Sequence, residues 1–257
     1  MDERLLQFVQ ATVVPQYWEA DGGRGARHFN DVLAAARRLV GRELDNREFL
    51  AVALHDIGVG RKGWSRDSHP EAALVAIDQD PALEPIRGMV DDEVREAIRR
   101  HMADEYRRTG LLGPIHQLLV EADEGVPVWG RDRIVKPVKY WLDGRGQPLD
   151  APTEDVVAHV LKVLRKKASA FKSGEPPFTA RFCEVFREEI EQASKWAASV
   201  QEGDVLSVME SLAFQSFHDL APQVWHDGDP CDGCPGGCKV CFFYKQFLDT
   251  PMGKRFK

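Results

Sequence analysis

Absent from this 257-residue sequence is any uninterrupted apolar run approaching the roughly 20 residues that a membrane span requires. Its opening, MDERLLQFVQATVV, sets two acids and an Arg before a short apolar stretch, unlike a secretory leader. There is no alternation of apolar and polar residues between tight turns, the mark of half-buried strands. Internal repeats and long low-complexity tracts are missing too. Nor is there an excess of positive charge: 34 Lys and Arg stand against 41 Asp and Glu, a net charge of −7. That balance excludes long nucleic acid and anionic membrane surfaces as partners, while a small anion needs only a local basic pocket. The short basic runs RKK at 165–167 and KRFK at 254–257 read as solvated charge. Cysteine is scarce outside the C-terminal region, where Cys183 alone reads as a buried core thiol. Without export there is little reason for disulfides, and a cytoplasmic location is expected.

What is present is helical periodicity. Apolar residues recur at three- and four-residue spacing through Val32–Val40, Phe49–Ile57, Ala72–Ile77, Val94–Met102 and Ile115–Val128. The pattern resumes through Val156–Ala168, Phe178–Val200 and Val205–Leu220. Gly- and Pro-rich segments at 22–23, 58–63, 81–85, 110–114 and 143–152 punctuate it. The expectation is an all-α protein with a body over 1–145, a helical extension over 146–222 and a Cys-rich tail over 223–257. A single helical domain running through the first break is the alternative.

The chemistry-bearing residues lie in the first half. His28 opens a helix in RHFNDVLAAARRL, and His55 and Asp56 end one in AVALHDIG. His69 opens the next in SHPEAAL, His101 falls in EAIRRHM, and Asp123 in LLVEADEG. Adjacent His and Asp point about 100° apart on a helix, so sharing one ion requires the helix to unwind, as Gly58 permits. Imidazole and carboxylate together suit divalent Fe, Mn, Co, Ni or Zn. Four such ligands satisfy one ion. Six, with a carboxylate bridging, suit two ions that cleave phosphate esters. Scattered helical histidines with hydrogen-bond partners would account for each position singly. The His55–Asp56 pair at the end of an apolar helix is harder to explain that way, because a buried ionised Asp needs compensation.

The ordered set His28, His55-Asp56, His69, His101 and Asp123 resembles the HD superfamily of metal-dependent phosphohydrolases over about residues 15–135, and in particular the predicted bacterial HD phosphodiesterases. The stretch ADGGRGARHFNDVLAAARRL is similar to that family's entry segment and first ligand helix. The resemblance implies an all-α HD bundle in which His28, His55, Asp56 and Asp123 hold one metal. Asp56 then bridges to a second held by His69 and His101, and Asp56, His69 and His101 form the catalytic group. It further implies a small phosphorylated substrate, a nucleotide or a related ester. Many relatives carry Lys directly after the HDIG segment, where this chain has Val59. Arg61, Lys62, Arg100, Arg131, Arg133 and Lys136 are the candidates for binding phosphate, with solvated surface charge the alternative for each. His116, seven residues before Asp123 on nearly the same helix face, reads either as a pocket-lining proton donor or as an ordinary polar position.

Near the C-terminus, CDGCPGGCKVC places Cys231, Cys234, Cys238 and Cys241 in a C-x2-C-x3-C-x2-C pattern. Four thiolates suit a structural Zn²⁺ or a [4Fe–4S] cluster, and the glycines with Pro235 permit the turns. His218 and His226 lie just upstream as possible substitutes, and the following FFYKQFL reads as apolar packing. Two functions compete with phosphohydrolysis. One is an oxidative enzyme, since some HD-fold proteins use a di-iron centre with a Tyr and a Glu roughly where Tyr17 and Glu19 stand. The other is a non-catalytic ligand or redox sensor, against which the complete ligand set speaks.

Overall fold

A computed structural model describes residues 2–21, 24–59, 61, 68–102, 105, 106, 108, 110, 112–125, 134, 138, 153–174 and 177–209. Among these there are helices and turns and no strand, as the periodicity predicts. No helix among them is long and apolar enough to cross a membrane. The chain divides into two compact units, one of residues 1–127 with 170–187, the other of 128–169 with 188–257. The division falls inside the helix Thr153–Ser173, between Ser169 and Ala170.

The first unit opens with α1 (Glu3–Phe8), a π-helical turn over Val9–Val13, and α2 (Val14–Asp21). Leu5, Val9, Val13 and Tyr17 are all buried, at four-residue steps. In a uniform α-helix, at about 100° per residue, Tyr17 would stand roughly 120° off Leu5. The wider π turn in the middle takes up that drift and keeps the four side chains facing inward. In α3 (Arg24–Val40) the buried face is Ala26, Phe29, Val32, Ala36 and Leu39.

Helix α4 (Asn46–Leu54) begins at a capping box. The Asp45 side chain accepts from the backbone N–H of Arg47 and Glu48, and the Glu48 carboxylate accepts from the Asp45 N–H. Every residue from Phe49 to Leu54 is buried, so α4 is surrounded rather than laid on a surface. It packs against α3, α7 (Asp92–Arg99) and α8 (Pro114–Gly125), and α3 packs in turn on α8. Helix α5 (His69–Gln79) lies on α7, and the short helix α6 (Glu84–Arg87) joins the two. Helix α10 (Ala180–Val185), capped by Thr179, lies on α3, where Arg38 stacks over the Phe186 ring at 4.4 Å.

The second unit contains most of α9 (Thr153–Ser173) and of α11 (Arg187–Ser199). Val156, Val157, Val160 and Leu164, at helical spacing on α9, form a core there with Val138, Val200, Val205 and Val208.

Candidate metal centre

Six residues from the first unit meet at one place, brought there by α3, the end of α4, the start of α5, the end of α7 and α8. The His28 Nε2 lies 2.8 Å from Asp123 Oδ1 and 3.5 Å from Asp56 Oδ2. The His55 Nε2 lies 3.7 Å from Asp56 Oδ2 and 4.0 Å from Asp123 Oδ1. On the other side of Asp56, its Oδ1 lies 2.9 Å from His69 Nε2 and 3.7 Å from His101 Nε2, with the two histidine nitrogens 3.1 Å apart. The histidine rings meet edge to face, at centroid distances of 5.0 to 5.5 Å.

Local structure explains how neighbouring His55 and Asp56 reach one centre. Helix α4 ends at Leu54, and the next turn tightens: the Ile57 N–H donates to Leu54 O at 3.3 Å, and the Val59 N–H to Asp56 O at 2.9 Å. Gly58 then touches the first turn of α5. A Cβ there would run into the His69 carbonyl oxygen and lie 2.5 Å from Ala73 N. Only glycine allows that approach, and the approach carries His69 up to Asp56.

Backbone carbonyls set the tautomers. Val52 O accepts from His55 Nδ1 at 2.8 Å and Ile98 O from His101 Nδ1 at 2.6 Å. A carbonyl only accepts, so both protons sit on Nδ1 and both Nε2 atoms face the centre. The His55 Nε2 is buried without a hydrogen-bond partner. A lone pair left so at full burial is costly unless a cation takes it.

Burial disfavours the charge on Asp56, but the neighbouring His55 and the contacts with His101 and His69 outweigh it and hold the carboxyl well below its usual range. Asp123 is likewise lowered against its own burial, chiefly by the bond from His28 and by His55. Burial pushes the His55 pKa down. For His101 the contact with Asp56 and the charge of Asp123 overcome burial and raise it. Asp56 with the four imidazoles forms two groups, His28–His55–Asp56 and Asp56–His69–His101, within each of which the donor atoms lie within 4.8 Å of one another. Such nitrogen and oxygen sets can each hold a divalent transition metal.

The basic candidates are placed differently. Arg61 is held by Asp80 at 3.1 Å, by Gln16 Oε1 at 2.8 Å and by Ile57 O at 3.2 Å, so its guanidinium braces the segment after the doublet. Arg100 pairs with Glu96 at 3.1 Å. Lys62, Arg131, Arg133 and Lys136 lie outside the described residues, as do Cys231, Cys234, Cys238 and Cys241 with His218 and His226. Both His116 nitrogens are engaged: Nε2 donates to Arg100 O at 2.9 Å and Nδ1 accepts from the Leu112 N–H at 3.3 Å. That makes it a clamp on the segment leading into His101. The Cys183 thiol is half-buried and donates to Phe171 O at 3.2 Å. Tyr17, singled out in the sequence only by its likeness in position to the Tyr of di-iron relatives, is buried beside both aspartates. Comparison with known proteins finds no matching family model, no match among curated proteins and no match among solved structures.

Proposed function

We propose that the chain is a metal-dependent phosphohydrolase or phosphodiesterase of the HD superfamily, cleaving a nucleotide or a related small phosphate ester at a binuclear His/Asp centre. One observation carries the reading: Asp56 turns Oδ2 toward His28 and His55, at 3.5 and 3.7 Å, and Oδ1 toward His69 and His101, at 2.9 and 3.7 Å. A carboxylate with a histidine pair on each oxygen suits a bridge between two cations. His28, His55, Asp56 and Asp123 would hold one of them, and Asp56, His69 and His101 the other.

Cations bound there would lower the pKa of a water to supply a nucleophile at neutral pH, and would offset the charge that grows on the phosphoryl oxygens. The chain's own part is orientation. Val52 O and Ile98 O keep the Nδ1 protons of His55 and His101 in place, so that both Nε2 atoms stay available. His55, His69 and His101 are buried, whereas the His28, Asp56 and Asp123 side chains are 24%, 19% and 19% exposed, so an ester approaches from the His28–Asp123 side. Its remaining charge would be met by Lys62, or by Arg61 and Arg100 on release from Asp80 and Glu96. The four cysteines would hold a separate Zn²⁺ or [4Fe–4S] centre.

The test combines metal analysis with phosphate release from a panel of mono-, di-, tri- and cyclic nucleotides, on protein purified without oxygen. Two metals beyond any sulfur-bound centre and turnover of at least one ester are expected. A broad brown absorbance bleached by reductant would mark an iron–sulfur tail. For Asp56→Ala the expectation is loss of both ions and of activity; full retention of both would sink the proposal.

A further inference from the structure

Helix α4 ends where the doublet begins, and its last turn leaves backbone groups to be satisfied. In a continuing helix Ala53 O would accept from the Ile57 N–H, but that donor has shifted to Leu54 O at 3.3 Å. A side chain from another helix fills the gap. The Tyr17 hydroxyl donates to Ala53 O at 3.0 Å across 36 residues. One hydroxyl therefore ties the last turn of α4, two residues before His55, to α2. Tyr17 is 3% exposed, and its ring stacks on Phe29 at 6.0 Å and 11° between planes. Phe29 is the residue after His28. The same side chain thus fixes the doublet through its oxygen and abuts the His28 helix through its ring.

We propose that Tyr17 is a positioning residue: its hydroxyl holds the unwound end of α4 so that His55 and Asp56 face one centre. It touches neither ion nor substrate and acts through the backbone at Ala53. The π turn at Val9–Val13 belongs to the same arrangement, since without it Tyr17 would point away from Ala53. Burial, with the nearby charges of Asp56 and Asp123, pushes the Tyr17 pKa well up, so the hydroxyl keeps the proton it donates.

This inference rests on the reading of the site as a metal centre, and its test separates the two. Tyr17→Phe removes the oxygen and keeps the ring on Phe29. Outer-shell partners of metal ligands typically contribute about 10–100-fold in metal affinity, and a loss of that size in Mn²⁺ affinity is expected by titration calorimetry. Leu50→Val, in the α4 core away from the break, is the stability control. An Mn²⁺ affinity of Tyr17→Phe within about threefold of wild type would overturn the proposal. So would a loss no larger than that of a Leu50→Val protein with the same drop in melting temperature, because the effect would then be general loosening. Amide exchange gives a reading independent of metal. With the donor to Ala53 O gone, the Ile57 N–H, held by Leu54 O at 3.3 Å, should exchange at least about tenfold faster in the metal-free variant, while α8 amides are unchanged. Should wild type take up no Mn²⁺, the metal reading falls and Ile57 exchange decides alone: acceleration upholds the positioning role, and an unchanged rate refutes it.

Discussion

Each histidine at the centre has two nitrogens, and what occupies the first decides what the second can do. For His55 and His101 a backbone carbonyl holds the Nδ1 proton, and Nε2 is turned to the aspartates. The charges then set a pH dependence. Asp56 and Asp123, held low by their histidines, stabilise the metal-free fold above the ordinary carboxylate value of 3.8, a contribution lost on acidification. His101, held high, contributes below its ordinary 6.5, and that contribution is lost as pH rises through the raised value. A cation must displace that proton. Mn²⁺ affinity should accordingly climb by about tenfold per pH unit up to a point above 6.5 and then level off. Calorimetry in buffers of different ionisation enthalpy measures the protons released. Affinity that is flat between pH 5.5 and 8 would show that His101 does not bind the ion.

At the scale of elements, the turn after α4 joins the two histidine groups, and Gly58 is its tightest point. For Gly58→Ala the new methyl meets the backbone of His69 and Ala73, neither of which can swing aside as a side-chain tip would. The cost should reach about 3 kcal/mol, at the upper end of ordinary overpacking, and cation uptake at Asp56–His69–His101 should fall with it. Urea unfolding with Mn²⁺ titration checks both, and a variant as stable as wild type would refute the close contact. The need for unwinding here was legible, because neighbouring His and Asp cannot otherwise converge. The partners that hold the unwound turn were not. Tyr17 reaches Ala53 across 36 residues, and Arg61 is drawn to Asp80 rather than left facing the site. His116 likewise carries no local sign that Arg100 O and the Leu112 N–H will engage both of its nitrogens. Hydrophobic spacing reports which face of a helix is buried. It does not report which backbone group another helix leaves open.

At the scale of the whole molecule, the six candidate ligands, with Arg61 and Arg100, belong to residues 28–123, inside the first unit, whereas the core of Val156, Val157, Val160, Val205 and Val208 belongs to the second. The acidic balance of the chain gives no sign of this division, and the Gly- and Pro-rich break at 143–152 stands well beyond Pro127, where the first unit's opening stretch ends. A ligand stabilises only what it binds. With Mn²⁺ at about 100 times its dissociation constant, each site adds roughly 2.7 kcal/mol against opening of the unit that contains it. Amides of α3, α4, α5, α7 and α8 that exchange only when that unit opens should slow by about 100-fold for each ion bound, about 10,000-fold with both. Those of residues 156–164 and 200–208 should keep their rates. Hydrogen exchange read by mass spectrometry, with and without Mn²⁺, resolves these segments. Equal protection of residues 200–208 would mean that the two units open as one, and protection confined to residues 200–208 would place the ion outside the His/Asp centre.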